Sequence, residues 1–494
     1  MTYEAIAGTL KPEQINRIGE KHRYAGKREY YMTQHAFSSL HLKSTMLKNL
    51  VSLGYAEMTP IQAHALPLIL AGKDVIAKAK TGSGKTAAFG IGLLTHLEVA
   101  SSRVQALVLC PTRELADQVG KELRRLARFT DNIKILTLCG GVPFGPQLAS
   151  LEHGAHVVVG TPGRLLDHLR RGSLDLTSLQ TLVLDEADRM LDMGFQDEIS
   201  ALIAATPKKK QTLLFSATYP EAITELSGAL QHEPIEVSVD ETHDENAIEQ
   251  ILYEVDQEER TAAVARILGH YCPESTLVFC NTKVECQEVA AALVERGFTA
   301  LAIHGDLEQR ERDQVLTRFA NKSVSVLVAT DVAARGLDIK ELSCVINYEL
   351  PRNPEIHTHR IGRTGRAGEQ GLALSLMTAH ESRRVQAIEN ALGCSIMRGE
   401  LASLSVPAGR QIAPPMVTLC IDGGRKNKLR PGDILGALTG EGGIAGSEVG
   451  KIDVSDAHTY VAIVRSSVDQ ALSCLGRNKI KGRFYKVRML QSFS

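Results

Sequence analysis

The segment Ala79-Lys80-Thr81-Gly82-Ser83-Gly84-Lys85-Thr86 has the residue types and spacing of a loop that cradles phosphates. Gly82 and Gly84 permit a backbone that points successive N–H groups into one concavity. Lys85 is long enough to reach a β- or γ-phosphate, and the Thr86 hydroxyl is a hard oxygen ligand suited to Mg²⁺. Ala79 stands where the usual pattern has its first glycine, so the motif departs at that position. The residues Ala79, Thr81, Gly82, Ser83, Gly84, Lys85 and Thr86 are expected to hold a nucleotide. Further along, Asp185-Glu186-Ala187-Asp188 supplies carboxylates. Asp185 is expected to hold Mg²⁺, partly through water, and Glu186 to orient and deprotonate an attacking water. Loop and acids together imply that a nucleoside triphosphate is bound and hydrolysed with Mg²⁺.

These groups need particular elements to place them. Residues 74–79 are short, apolar and β-rich and predict a strand, and Thr86 to Ala100 carries apolar residues at helical spacing. Phosphate then meets backbone N–H groups at the positive end of a helix. Residues 180–184 form a continuous apolar run, the pattern of a buried parallel strand. Asp185 and Glu186 follow at its carboxyl end, where ligands bind in open α/β sheets. Apolar strands at 106–110, 133–138, 156–160, 180–184 and 211–215 alternate with helical segments, and a second such series follows at 276–280, 299–303, 324–329, 344–348 and 371–377. The alternation predicts α/β architecture, with two parallel sheets in tandem.

The motifs, taken in order, resemble the DEAD-box RNA helicases. Thr59-Pro60-Ile61-Gln62 is similar to the Q motif, and Asp185-Glu186-Ala187-Asp188 is the family signature. Pro111-Thr112-Arg113-Glu114-Leu115-Ala116, Gly140-Gly141, Thr161-Pro162-Gly163-Arg164, Ser216-Ala217-Thr218, Ala329-Thr330-Asp331, Arg335-Gly336-Leu337-Asp338 and the run His359 to Arg366 complete the set. The match extends from about residue 37 to about 400 and implies two RecA-like lobes, at 33–239 and 247–400. It implies that Phe37 stacks on adenine, that Gln62 reads it and that Asp338 contacts the ribose. Arg363 and Arg366 are implied to be arginine fingers on the γ-phosphate, a task suited to a permanently charged, bidentate guanidinium. Ser216 and Thr218 are implied to link the nucleotide site to lobe closure. RNA contacts are implied at Arg113, Gly141, Thr161, Gly163 and Arg164, and at Asn281, Gly305, Gln309, Arg312 and Thr330. Such glycine, arginine and threonine contacts hold a backbone without reading sequence. The family bends a single strand so that closure opens a helix locally, and RNA preference comes from 2′-hydroxyl contacts.

The stretch 401–415, with Pro407, Gly409, Pro414 and Pro415, predicts a flexible linker. Residues 416–494 then carry twelve Lys and Arg against seven Asp and Glu, a net of +5 in a chain of net −1. This predicts a local electrostatic footprint for nucleic acid. Its basic clusters are Arg425, Lys426, Lys428 and Arg430, and Arg477 to Arg483 with Lys481 between them. Pro431 to Leu438, Val449-Gly450-Lys451-Ile452 and Ile480-Lys481-Gly482-Arg483 resemble the C-terminal domain of the DbpA-type DEAD-box helicases, an RRM-like α+β fold. Against the general RRM pattern, Cys420, His458 and Ile463 occupy usual aromatic positions, although the strand offers Tyr460. Recognition is therefore expected mainly through the basic clusters and loops. The resemblance implies docking to a hairpin of 23S ribosomal RNA during large-subunit assembly.

Hydrophobic content of 44% is ordinary for packed domains. No apolar run approaches the ~18 residues that span a bilayer. The nine cysteines are scattered, without a CxxC pair, and are expected to be buried thiols in a reducing cytoplasm. Residues 1–32 are polar and match none of the motifs; they are expected to be a disordered extension, with Met32 an alternative start. A cytoplasmic monomer with ATP, Mg²⁺ and RNA as partners and no membrane association is the resulting expectation. A general RNA helicase and a nucleotide-gated RNA clamp are the competing readings. The C-terminal domain argues against the first, and Glu186, Arg363 and Arg366 argue against the second.

Overall fold

The computed structural model describes residues 36–79, 82–219, 221–239, 248–334, 342–365, 370–405, 413–440 and 443–490. The extension 1–32 and three expected site residues, Thr81, Asp338 and Arg366, lie outside them. The chain divides into two compact units, 1–241 and 242–494.

In the first unit, strands β1 (Val75–Lys78), β2 (Ala106–Leu109), β3 (Ile135–Leu138), β4 (Val157–Gly160), β5 (Thr181–Asp185), β6 (Gln211–Ser216) and β7 (Ile235–Ser238) form one sheet. Their order is β3-β4-β2-β5-β6-β1-β7, and every pairing is parallel. Successive residues of β2 enter different cores. Ala106 and Val108 pack with Phe89, Val119 and Leu123, whereas Leu107 and Leu109 pack with Leu165, Ile199 and Leu202. Burial on both faces explains why these strands read as unbroken apolar runs.

The second unit begins with a sheet of the same kind. It contains β8 (Ile248–Glu254), β9 (Thr276–Cys280), β10 (Ala300–Ile303), β11 (Val326–Thr330), β12 (Cys344–Asn347), β13 (Gly371–Met377) and β14 (Met397–Gly399). The order is β10-β11-β9-β12-β13-β8-β14, again all parallel. Val278 and Cys280 face one core and Leu277 and Phe279 the other.

A smaller antiparallel sheet follows, with β15 (Met416–Ile421), β16 (Val449–Val454), β17 (Thr459–Val464) and β18 (Val487–Met489) in the order β16-β17-β15-β18. Helices Pro431–Thr439 and Val468–Arg477 intervene, which makes the chain order βαββαβ. Leu419, Ile421, Val461 and Ile463 meet Ile434, Leu438, Ala471 and Leu475 in one core on the helix side. The opposite face is buried too. Thr418, Cys420, Tyr460 and Ala462 are at most 7% exposed. There the Asn321 amide donates to the Thr418 hydroxyl at 3.2 Å, and Ser323 shares a 2.7 Å hydrogen bond with the same hydroxyl. Gln314, on the helix Gln309–Ala320, lies beside the Tyr460 phenol, which burial pushes above its ordinary pKa. The sheet face of the C-terminal domain is therefore seated on the second lobe.

The expected flexible linker needs correcting at its start. Leu404 is buried in the second lobe's core. Arg266 holds the carbonyls of Ala402 and Leu404, and the His270 ring meets that of Ser405. The proline and glycine content of 401–415 drew attention away from Leu401 and Leu404, which are apolar and pack. Residues 406–412 of that linker lie outside the described residues.

Thr418→Ala removes the acceptor of the buried Asn321 amide. It should lower the stability of the second unit by about 1–2 kcal/mol, read as a lower melting temperature in calorimetry.

Candidate functional site

The carboxyl ends of β1, β6 and β5 lie side by side. The ladder pairs Lys78 with Ser216 and Phe215 with Asp185, and the Ala79 N–H donates to the Ser216 carbonyl at 3.0 Å. The phosphate-type loop leaves β1 and enters the helix Lys85–His96 through Gly84, whose φ of +93° is left-handed. A side chain there would be strained, and its Cβ would lie 2.5 Å from Gln62. The Q segment clamps this loop. Thr59 Oγ1 donates to the Ser83 carbonyl at 2.7 Å, and Gln62 Nε2 to the Gly84 carbonyl at 3.1 Å. Gln62 Oε1 accepts from the Thr59 N–H at 3.0 Å. These bonds use one N–H and one lone pair of the Gln62 amide, and the residue is buried at 1% exposure.

Phe37 departs from expectation. Its ring is only 5% exposed, sits in the core and packs edge-on against Tyr55 at 6.0 Å. These contacts anchor the segment that leads to the clamp. A lone aromatic ahead of the Q segment reads the same in sequence whether it meets a base or the core.

Lys85 is buried, and its ammonium donates to the Ala79 carbonyl at 2.8 Å. Asp185 is 2% exposed, and its Oδ1 has no hydrogen-bond partner among the described residues. Burial pushes its pKa up to about 7, against the pull of Lys85. Glu186 sits at φ +54°, ψ +52° at the start of the helix Ala187–Asp192. A left-handed glutamate is a sparsely populated conformation that costs about 1–3 kcal/mol, and such strain clusters at functional turns. Asp188 is a latch: Oδ2 accepts from the Thr218 hydroxyl at 2.8 Å and from its N–H at 3.1 Å. Burial raises its pKa, but the Thr218 bonds and Arg189 outweigh that and leave it below the ordinary value. Ser216 Oγ donates to the Thr218 carbonyl at 2.7 Å, so the acid tetrad and the Ser216–Thr218 turn form one hydrogen-bonded group.

The first lobe's expected RNA contacts also converge, at the ends of the adjacent strands β2, β4 and β3. Arg113 opens the helix Arg113–Leu126, and its guanidinium lies against Gly141, where a Cβ would fall within 2.1 Å of its central carbon. Gly141 has φ +71°. Thr161 immediately precedes the helix Pro162–Arg170, whose first turn carries Gly163 and Arg164. Arg164 donates to the Val142 carbonyl at 3.1 Å and lies over the Phe144 ring. Sequence reasoning missed the support beneath. Phe144 stacks on His168 at 4.0 Å, and His168 pairs with Gln147, which donates to the Cys139 carbonyl.

In the second unit, Thr330 ends β11, and Gly305 and Asn281 follow the adjacent strands β10 and β9. Gln309 and Arg312 occupy the first turn of the next helix, where Arg312 donates to the His304 carbonyl at 3.2 Å. Thr330 Oγ1 accepts from the Ala333 N–H at 3.3 Å. Arg363 lies in the turn after the helix Pro354–Ile361. The organising residue there is Arg360, 1% exposed. It makes a paired contact with both Asp331 oxygens at 2.7 and 2.8 Å and also donates to Asn281, Asn347 and the Glu349 carbonyl. Its place between His359 and Arg363 was the available signal.

The two basic clusters of the C-terminal domain, some fifty residues apart in sequence, are joined. Arg425–Asn427 form a short turn after β15, Lys428 follows at φ +61°, and Arg430 precedes the helix Pro431–Thr439. Lys481 Nζ donates to the Lys428 carbonyl at 2.8 Å and lies 3.5 Å from Asp433. Arg425, Lys426, Lys428, Arg430, Lys481 and Arg483 are all exposed.

Two tandem parallel sheets, a clamped phosphate-type loop and a buried acid pair at the carboxyl edge define a nucleotide-hydrolysing helicase core. The DEAD/DEAH box helicase family matches residues 59–226, the helicase conserved C-terminal domain 259–368 and the DbpA RNA binding domain 418–489. The chain belongs to the DEAD-box ATP-dependent RNA helicases, of the type that carries a DbpA RNA-binding domain, and is an ATP-using enzyme that acts on RNA. It is 55% identical to the ATP-dependent RNA helicase DbpA of Escherichia coli (strain K12), over 92% of this chain and 100% of that one. It is 45% identical to the DEAD-box ATP-dependent RNA helicase CshA of Bacillus anthracis, over 72% of this chain and 67% of the relative. Saccharomyces cerevisiae Dbp5, solved bound to RNA and ADP BeF3, is similar at TM-score 0.68 and 31% identity, covering 74% of this chain and 96% of that one. Mss116p bound to single-stranded RNA and AMP-PNP is similar at TM-score 0.65 and 28% identity, covering 73% of this chain and 77% of its own. Among the described residues no helix is long and apolar enough to cross a membrane.

The raised pKa of Asp185 has a stability consequence. Between pH 4 and 7 the folded chain keeps a proton that the unfolded chain has lost, so this group lowers stability as pH rises through that window. Asp185→Asn should stabilise the nucleotide-free protein by up to about 4 kcal/mol at pH 8 and by less than about 1 kcal/mol at pH 4. Thermal melts of both proteins at the two pH values measure this.

Proposed function

We propose that this helicase remodels 23S ribosomal RNA during assembly of the large ribosomal subunit, as a cytoplasmic monomer steered by its C-terminal domain. The observation that carries the reading is the joined, exposed basic surface of that domain, with the sheet face covered. Such a surface grips phosphates over an extended, structured RNA, and the helicase core then acts on whatever lies next to the gripped hairpin. The similarity to the Escherichia coli DbpA helicase, over its whole length, supports an ATP-dependent RNA helicase that carries this C-terminal domain.

Within the core, we assign ATP to the Ala79–Thr86 loop, with Gln62 reading adenine and Asp338 holding the ribose. Mg²⁺ fits the donor set: a threonine hydroxyl and a buried carboxylate whose Oδ1 has no partner among the described residues are hard oxygens suited to it. Thr86 and Asp185 would hold the ion, which supplies charge neutralisation to the phosphates when bound. Glu186 takes the proton of the attacking water. Lys85 leaves the Ala79 carbonyl for phosphate oxygens, and Arg363 and Arg366 carry charge for the transferred phosphoryl group. Arg113, Gly141, Thr161, Gly163 and Arg164 grip one stretch of RNA backbone; Asn281, Gly305, Gln309, Arg312 and Thr330 grip another.

The test is ATP turnover stimulated by a 23S ribosomal RNA fragment spanning the peptidyl-transferase centre, compared with unrelated structured RNA and with DNA. Equal stimulation by all three would overturn the ribosomal assignment. Glu186→Gln should abolish turnover, by about a hundredfold or more, while ATP and RNA still bind, because Asp185 and the loop are untouched. Replacing Arg425, Lys426, Lys428 and Arg430 together by alanine should weaken binding to the ribosomal fragment and make its salt dependence shallower. Turnover at saturating generic RNA should change little, as measured by filter binding and steady-state ATPase assays.

A further inference from the structure

An RRM that stacks bases does so on the sheet face away from its helices. Here that face is seated on the second lobe through Thr418, Asn321 and Ser323, so a stacking surface must come from elsewhere. Phe484 is 63% exposed, more than any other phenylalanine among the described residues. A single exposed apolar side chain is commonplace; its setting is what distinguishes this one.

The ring stands on a rigid turn. Ile480 is buried in the domain core, and the backbones of Ile480 and Arg483 exchange hydrogen bonds of 2.8 and 3.1 Å. Lys481 and Gly482 between them have φ of +51° and +79°. The next residue, Tyr485, spends its ring on Gly423, where a Cβ would lie 2.4 Å from it. Alternation along an extended segment then turns Phe484 outward. Lys479 Nζ lies 5.6 Å from its ring centre, Arg483 precedes it, and Lys481 ties this turn to Lys428 of the other basic cluster. An aromatic face set among cations is the arrangement by which proteins stack a base while holding its flanking phosphates.

We propose that Phe484 is the base-stacking residue of the C-terminal domain, receiving an unpaired nucleobase of the RNA that the basic loops grip. The proposal rests on the reading that those loops bind RNA. It predicts that the domain distinguishes RNA with accessible unpaired bases from fully paired RNA of the same charge.

The test uses the full chain and two labelled probes, a stem–loop from the peptidyl-transferase centre of 23S ribosomal RNA and a blunt duplex of the same stem. Phe484→Ala and Phe484→Leu should each weaken stem–loop binding about tenfold without altering the salt slope, the melting temperature or duplex binding. Phe484→Tyr and Phe484→Trp should bind like the parent, because a π face is retained. A 2-aminopurine placed in the loop should be quenched by the parent and not by Phe484→Leu. Parental stem–loop affinity in Phe484→Leu, with the four-alanine variant of 425–430 weakened, overturns stacking and leaves the basic-surface reading intact. Parental affinity in both variants overturns the two together.

Discussion

A parallel sheet delivers the carboxyl end of every strand to one edge, and the chemistry of this protein depends on that polarity. Neighbouring strands in register bring the ends of β1, β6 and β5 together, so the phosphate-type loop, the Ser216–Thr218 turn and the acid pair are neighbours though they are far apart in sequence. The same rule collects Arg113, Gly141 and Thr161 at the ends of β2, β3 and β4, and Asn281, Gly305 and Thr330 in the second unit. Strands buried on both faces leave polar side chains nowhere else to go. The edge is where polar chemistry is compatible with folding.

Loops at such an edge still need fixing, and each is held by a polar group with little exposure. Thr59 and Gln62 bind the carbonyls of Ser83 and Gly84. Asp188 binds Thr218 twice. Arg360, almost wholly buried, satisfies four partners in the second unit. Buried polar groups are expensive when unpaired and specific when paired, so these contacts define loop conformation more sharply than apolar packing would. Asp185 Oδ1 stands apart, buried without a partner among the described residues. The strain at Glu186 sits directly beside it.

The two parallel sheets were legible because their strands are long apolar runs separated by helical spacing, and the acids at the end of 180–184 followed from the same pattern. The short β14 and β7 and the mixed β8 were not foreseen, since three or four residues, or a run such as Ile248-Glu249-Gln250, carry too little pattern. Local motifs pointed to Gln62 and Lys85 by residue type, but not to their partners, Gly84 O and Ala79 O. The packing of Phe37 against Tyr55 was not legible, because an aromatic in sequence carries no sign of which side of the core it faces. The Arg360 hub and the Phe144–His168–Gln147 support were illegible for a related reason: their roles are made of contacts between segments that sequence spacing does not connect.

The C-terminal sheet shows how a covered face can be read in retrospect from composition. A sheet that offers its open face to bases has aromatics there, whereas this one carries Thr418, Cys420 and Ala462, with Tyr460 buried. Small side chains allow the second lobe to approach closely, and a hydroxyl at Thr418 gives the approach a hydrogen-bonded register that a purely apolar patch would lack. Seating also removes rotational freedom between the domain and its lobe. An RNA gripped by the basic loops, as proposed, would then be presented to the second lobe in one orientation instead of being only nearby, which raises effective concentration beyond what an unstructured tether gives. The departure from the aromatic pattern is thus a property of the docking surface.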